Sequence, residues 1–366
     1  MTTAPISLLV AGGGTGGHLY PGIAVARELL ARAPGAQVSF VGTAAGIETR
    51  VVPREGFPLD LIRSAGLKGK SVKALARGVG LLPLSGVDAW KVLSGRRPTV
   101  VIGVGGYSSG PVVLLAALRG VPAMLMEQNA VPGLTNRLLS TFVSAAAVTY
   151  PETARYFGAR AFVSGNPVRA EFFSASRGER VAAAPAGPVR VLVFGGSQGA
   201  HAINMAMLEA ASRLARASTP LAVTHQTGDH DLQAVRDGYR RAGLEAEVEP
   251  FLFDMADRMR QADVVVCRAG ATTLAELAAA GRPSVLVPLP SAADDHQRHN
   301  AEALVARGAA EMILQRELTG DRLAASIEDL AARPARRREM ADAARALARP
   351  DAAGVIVDRL LELSRR

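Results

Sequence analysis

A histidine closes a glycine run. Residues 11–20 read AGGGTGGHLY, directly after the apolar stretch ISLLV. Glycines let backbone N–H groups approach a ligand closely, and a helix starting there carries partial positive charge. The pattern suits an anion or a sugar held against the backbone, or else a tight strand–helix turn with no ligand. His18 falls at the expected helix start. It serves there either as a capping and packing residue or as a general base. In the second case the helix end disfavours the imidazolium and keeps the ring able to accept a proton. Gly12, Gly14 and Gly17 satisfy GxGxxG. A dinucleotide site also wants an acid at the end of the second strand. That strand ends VGTAAG with no acid before Glu48, which argues against a nicotinamide enzyme.

A second constellation is CRAGATTLAELAAAGRPSVLVP (267–288). A strand ends at Cys267, and a small-residue turn leads into a helix bearing Glu276. Small residues let a nucleotide lie against the backbone, and a carboxylate in that helix can accept bonds from both ribose hydroxyls. The alternative is an ordinary exposed helical glutamate. After the next strand comes PSAADDHQRHNA (290–301), polar and placed where open α/β sheets bind ligands. His296, His299, Asp294 and Asp295 invite a metal reading, but no matching ligand set is evident elsewhere in the chain. Gln297 and Asn300 suit sugar hydroxyls better.

Residues 62–97 carry eight Lys/Arg and one acid, Asp88. Lys68, Lys70, Lys73 and Arg77 are interleaved with Val72, Leu75, Val79, Leu82 and Trp90. Such a segment is either a solvated basic face over a core helix or a surface drawn to anionic lipid. Nucleic acid is a poorer partner, because no aromatic-rich basic motif or known binding module is present.

These groups need a frame to hold them. The chain has 366 residues, which points to two domains. Short apolar runs at 6–10, 37–41, 99–104, 122–126 and 144–148 alternate with Ala/Leu-rich helical stretches. The second half repeats the pattern at 189–194, 221–225, 263–267 and 283–287. Apolar runs without alternation fit parallel strands covered on both faces, and the βα alternation predicts doubly wound α/β sheets. ISLLVAGGGTGG and VRVLVFGGSQGA each open a half, so we expect two Rossmann-like domains facing a cleft. The expected division is 1–166 and 167–349, within the Pro/Gly-rich stretch 164–188, with a helix over about 350–366 returning to the first domain. The one cysteine, Cys267, excludes an intrachain disulfide and fits a reducing compartment. No secretory signal and no membrane-spanning run is expected. The net charge of +9 suits nucleic acid, anionic lipid or a phosphorylated substrate without choosing among them.

GGTGGH (13–18), GLKGK (66–70), GGYSSGP (105–111), EQNAVPGLTN (127–136), GNPVR (165–169), GGSQGA (195–200) and CRAGATTLAEL (267–277) occur in one order. Together they resemble the MurG-type N-acetylglucosaminyltransferases of bacterial peptidoglycan synthesis, over nearly the whole chain. The resemblance implies a GT-B fold and inverting transfer of GlcNAc from UDP-GlcNAc to the 4-hydroxyl of MurNAc in lipid I, giving lipid II. It implies no cofactor and no metal. It also implies a peripheral position on the cytoplasmic face of the plasma membrane, beside other wall-synthesis and division proteins.

By the same resemblance, Thr15, Gly16 and Gly17 lie near donor sugar and phosphates, and Asn129 binds the sugar. Arg169 and Ser197 hold the diphosphate. Ala269, Gly270, Ala271, Thr272, Thr273 and Leu274 wrap the diphosphate and nucleoside. Glu276 takes the ribose, Gln297 takes GlcNAc hydroxyls, and Leu252, where the family usually has isoleucine, takes uracil through its backbone. His18 is the expected base, with Glu127 as the other candidate or an orienting partner. The rival readings are another GT-B enzyme using UDP-GlcNAc, such as a 2-epimerase, and a non-catalytic nucleotide-sugar-binding protein.

Overall fold

The computed structural model describes residues 5–64, 72–173, 187–196 and 199–365; over 72–79 and at residue 293 it describes the backbone alone. It divides into two compact units. One runs to Arg169 and takes the chain back from Arg349; the other is Ala170–Ala348. The sequence assigns residues 167–169 to the second domain, whereas the structure puts them in the first unit.

Among the described residues the first unit holds seven strands: β1 Ser7–Gly12, β2 Gln37–Gly42, β3 Leu59–Leu61, β4 Val100–Gly105, β5 Ala123–Glu127, β6 Ala145–Val148 and β7 Ala161–Val163. All pair in parallel, in the order β3-β2-β1-β4-β5-β6-β7. Successive strand residues point to opposite faces, and each face has its own helices. Leu8, Val10, Ile102 and Val104 face Leu19, Ile23, Ala26 and Leu29 of helix Gly16–Arg32. Ile356, Val357, Leu360 and Leu363 of helix Ala352–Ser364 join that core. Leu9, Ala11 and Val101 face Ala89 and Leu93 of helix Val72–Arg96, with Val112, Val113 and Ala116 of helix Ser109–Leu118. Burial on both faces is why these strands read as unbroken apolar runs.

The second unit repeats the plan with β8 Val189–Phe194, β9 Leu221–Gln226, β10 Ala246–Glu249, β11 Val264–Cys267, β12 Ser284–Leu286 and β13 Ala310–Met312. These are also all parallel, ordered β10-β9-β8-β11-β12-β13. In both sheets the strand order reverses beside the first strand, between β1 and β4 and between β8 and β11. Open α/β sheets bind ligands outside the carboxyl ends of the strands at such a switch point. The glycine turns of both halves lie there.

Candidate functional site

The first glycine turn leaves β1 with φ of +139° at Gly12, +146° at Gly13 and +84° at Gly14, a left-handed path that favours glycine. A Cβ on Gly12 would lie 2.2 Å from the carbonyl oxygen of Gly105 at the end of β4. The turn is not an empty amide cradle. The carboxylate of Glu48, 1% exposed, accepts from the N–H of Gly14 (2.7 Å) and of Thr43 (2.8 Å). Gly13, Gly42 and Gly46 crowd it so closely that a Cβ on any of them would collide with the carboxyl group. A phosphate brought to Gly14 would meet this carboxylate, so the GxGxxG match has a different physical use here. Its product is the rigid start of helix Gly16–Arg32, whose first-turn N–H groups include those of Gly16 and Gly17. In the sequence Glu48 is only an acid in the wrong place for ribose; Gly42 and Gly46, two glycines within six residues of it, are the available local signal.

The EQN triplet at the end of β5 sends three side chains to three tasks. Glu127 is buried, and its oxygens accept from Asn129 N–H (3.0 Å) and Nδ2 (3.1 Å), Gly133 N–H (3.0 Å) and Asn136 Nδ2 (2.9 Å). Burial pushes its pKa above the usual carboxylate range, while these donors pull the other way. Gln128 donates from Nε2 to the carbonyl of Val104 (3.1 Å), which turns its Oε1 toward His18 Nδ1 at 3.3 Å. An amide oxygen can only accept, so Nδ1 donates, and in the neutral imidazole the lone pair is then on Nε2. His18 is also wedged against β4, since a Cβ on Gly105 would lie 2.7 Å from its Nδ1. Gln128 was missed in the sequence because it is flanked by the two residues that the resemblance singles out.

Asn129 commits both its backbone N–H and its Nδ2 to Glu127, which fixes the orientation of its side chain. Arg169 lies with its guanidinium carbon 5.1 Å from the ring centre of Tyr20, and that ring borders Gly16. A half-buried cation is thereby brought to the glycine turn within the first unit.

In the second unit, Gln226 ends β9 and ties two loops. Its Nε2 donates to Gly196 (2.7 Å), and its Oε1 accepts from the N–H of Leu252 (2.9 Å). Leu252 is buried, and its N–H is engaged by this contact, so its carbonyl is the backbone group left for a base. Helix Ala271–Ala280 starts from an extended Gly270 after β11. Ala269, Thr272 and Leu274 turn their side chains into the protein, and the N–H of Leu274 already donates to the carbonyl of Gly270 (3.0 Å), so what this stretch offers a ligand is the N–H groups of the helix's first turn. Glu276 is half-buried on that helix. Burial pushes the Cys267 thiol up, and the Glu276 carboxylate adds to this. Gln297 accepts from the N–H of Leu289 (3.0 Å), which leaves its amide NH2 for donation. The chain enters its helix, His296–Val305, through Asp294 and Asp295 at φ of +54° and +52°. Two such non-glycine residues in succession store strain beside Gln297. Ser197 lies outside the described residues. His299 pairs with Glu302 (3.1 Å), and 294–299 is not where histidine and acidic ligand atoms converge among the described residues.

Of the basic–apolar segment, Lys68 and Lys70 lie outside the described residues, and Val72, Lys73, Leu75, Arg77 and Val79 are described by backbone only, on helix Val72–Arg96. Further along, Ser85, Ala89 and Leu93 are buried at four-residue spacing, while Leu82 (47%), Leu84, Val87 and Trp90 (53%) are exposed. Asp88 is bound by the Arg63 guanidinium at 2.7 and 2.8 Å, which holds its carboxyl down at about 2. Arg119 stacks over Trp90 at 4.4 Å. No helix among the described residues is long and apolar enough to cross a membrane.

Residues 8–148 match the glycosyltransferase family 28 N-terminal domain, and residues 190–356 match its C-terminal domain. The chain is 50% identical over 361 residues to a UDP-N-acetylglucosamine–N-acetylmuramyl-(pentapeptide) pyrophosphoryl-undecaprenol N-acetylglucosamine transferase from an Anaeromyxobacter species, covering 98% of this chain and 94% of the relative. Among solved structures it is similar to Acinetobacter baumannii MurG, with a TM-score of 0.80, 32% identity, and coverage of 98% of this chain and 100% of that one. A UDP-GlcNAc 2-epimerase from Neisseria meningitidis shares the fold at a TM-score of 0.68 and 14% identity, covering 97% of this chain and 99% of the other.

Proposed function

The chain belongs to glycosyltransferase family 28, and from that membership we infer that it moves N-acetylglucosamine from UDP-N-acetylglucosamine to the N-acetylmuramyl-(pentapeptide) pyrophosphoryl-undecaprenol acceptor. The 2-epimerase alternative rests on fold alone, at 14% identity.

The reading of the chemistry is carried by one observation, the chain of contacts from Val104 through Gln128 to His18. It sets the imidazole tautomer that a base requires. His18 Nε2 takes the proton from the 4-hydroxyl of the acceptor sugar. The oxygen then attacks the anomeric carbon of GlcNAc as the bond from that carbon to the UDP oxygen breaks, with inversion. UDP leaves with the bonding electrons. Arg169 and the N–H groups at the start of helix Ala271–Ala280 counter the charge that grows on its diphosphate. Ser197 is assigned to the same diphosphate, Thr15 to Gly17 to the donor sugar, and Glu276 to the ribose. Gln297 gives its NH2 to GlcNAc hydroxyls, and Leu252 gives its carbonyl to uracil. Glu127 acts as a positioning residue. Four N–H donors hold it, and through two of them it fixes Asn129, which is assigned to the donor sugar.

The acceptor's lipid tail requires a membrane surface. Helix Val72–Arg96 offers exposed Leu82, Leu84, Val87 and Trp90 beside basic residues, and it is the surface that meets anionic lipid at the cytoplasmic face. Wall-synthesis and division proteins are the partners expected there.

Transfer of labelled GlcNAc from UDP-GlcNAc to a soluble lipid I analogue, with EDTA present, tests the reading. The expected result is a labelled disaccharide product. UDP-GlcNAc binding without product would return the reading to a different acceptor or to epimerisation.

A further inference from the structure

On the second unit, two histidines and an aspartate that the assigned chemistry does not use converge. His201 opens helix His201–Leu214, directly after the glycine loop of β8. His230 and Asp231 lie in the turn after β9, and Asp231 precedes helix Leu232–Ala242. Both Asp231 oxygens lie 3.0 Å from His201 Nδ1, and Oδ1 is 2.8 Å from His230 Nδ1. One ligand atom from each of the three falls within 4.8 Å of the others.

We propose that His201, His230 and Asp231 form a site for a zinc-class divalent cation. Ligands about 2.0–2.2 Å from a tetrahedral ion stand roughly 3.3 Å apart, so the two histidine–aspartate separations need only a few tenths of an ångström of opening, and the two imidazoles present nitrogens within 4.8 Å of each other. Two imidazoles with one carboxylate suit zinc, nickel or copper, whereas magnesium and calcium take oxygen ligands. Three protein ligands leave a fourth position to water. The side chains of His201 and His230 are 67% and 89% exposed, which gives the ion a path in, while Asp231 at 7% is the fixed inner ligand. Asp231 is oriented from behind by Asn204 Nδ2 at 2.8 Å. Asn204 Oδ1 in turn meets His225 Nε2 at 3.0 Å, and His225 Nδ1 meets the Tyr239 hydroxyl at 2.7 Å. Such a supporting shell is what holds a metal ligand in one orientation.

The ion's role follows from where the ligands sit. A Cβ on Gly199 would lie 1.8 Å from the carbonyl oxygen of Thr227, so the turn before His201 rests on the turn that carries His230. A cation bridging them clamps the glycine loop of β8 to its neighbour. It takes no part in the transfer chemistry.

Zinc chloride is titrated calorimetrically into the chelator-stripped full-length protein, and bound metal is counted after dialysis. The expected result is one zinc per chain and a Tm raised by zinc. Both effects are lost in His201→Ala, His230→Ala and His230→Gln and retained in His299→Ala, with circular dichroism showing each variant folded. Absence of saturable zinc in the parent protein overturns the site. So does zinc that survives the His230 substitutions. Equal binding of magnesium would overturn the assigned class of ion.

Discussion

At His18 the working quantity is which ring nitrogen holds the proton, and a neighbour's amide decides it. Gln128 is locked by Val104 and presents only an acceptor to Nδ1. His18→Ala is expected to lower kcat by about 10²–10⁴-fold with little change in donor KM, as loss of a general base does. Gln128→Leu is expected to lower kcat less and also spare donor KM, because the ring then samples both tautomers. Steady-state kinetics separates these outcomes, and a KM that rises in step with falling kcat would make Gln128 part of donor binding instead. A second histidine has a different fate. His225 is buried between Asn204 and Tyr239, and burial pushes its pKa from the ordinary 6.5 down to about 3. Between those values the unfolded chain binds a proton that the folded chain refuses. Its contribution to stability is therefore complete above about pH 6.5 and falls as the pH drops toward 3, by up to about 1.4 kcal/mol per pH unit. Urea unfolding from pH 7 to 5, where most carboxylates stay ionised, measures the slope. His225→Gln is expected to flatten it by one proton even though the variant starts from lower stability.

Among the elements, the central strands were legible and the sheet edges were not. The nine apolar runs read from the sequence correspond to strands β1, β2, β4, β5, β6, β8, β9, β11 and β12. The four unread strands, β3, β7, β10 and β13, are the two edges of each sheet. Each has three or four residues, mostly half-buried or exposed, so no apolar run marks them. Helix Val72–Arg96 shows the same limit from the other side. Its composition announced a basic, apolar surface, but which of its apolar residues face outward depends on the sheet beneath. Trp90 is the single tryptophan of the chain and is half exposed, which makes it a native reporter. Its emission is expected to shift to shorter wavelength with anionic vesicles and to revert in high salt, since basic residues contribute about 1 kcal/mol each at an anionic surface. A shift that persists in salt would make apolar insertion the main term, and no shift at all would remove this helix as the lipid contact.

For the whole molecule, the two units have cores of their own, and the first is completed only by the end of the chain. Ile356, Val357, Leu360 and Leu363 are almost fully buried against β1 and β4, and Arg32 pairs with Asp358 at 2.6 Å. Removing residues 350–366 takes away four side chains worth roughly 1.5–3 kcal/mol each when buried. Hydrogen exchange is expected to show loss of protection in β1 and β4 with little change in β8 and β11; equal loss in both sheets would mean that the units unfold together. The sequence by itself determined the architecture. Unbroken apolar runs require burial on both faces, and glycine turns at fixed places in each half require strand-to-helix crossings. It also supplied, through ordered motifs, the family and the reaction. Only the tertiary structure decided what fills the first glycine turn, because Glu48 reaches Gly14 across 34 residues of chain. The same holds for the histidine tautomer, set by Gln128 from 110 residues away, and for the histidine–aspartate cluster, joined across 30. Periodicity records which side of an element is buried; it carries no record of which distant polar group meets it there.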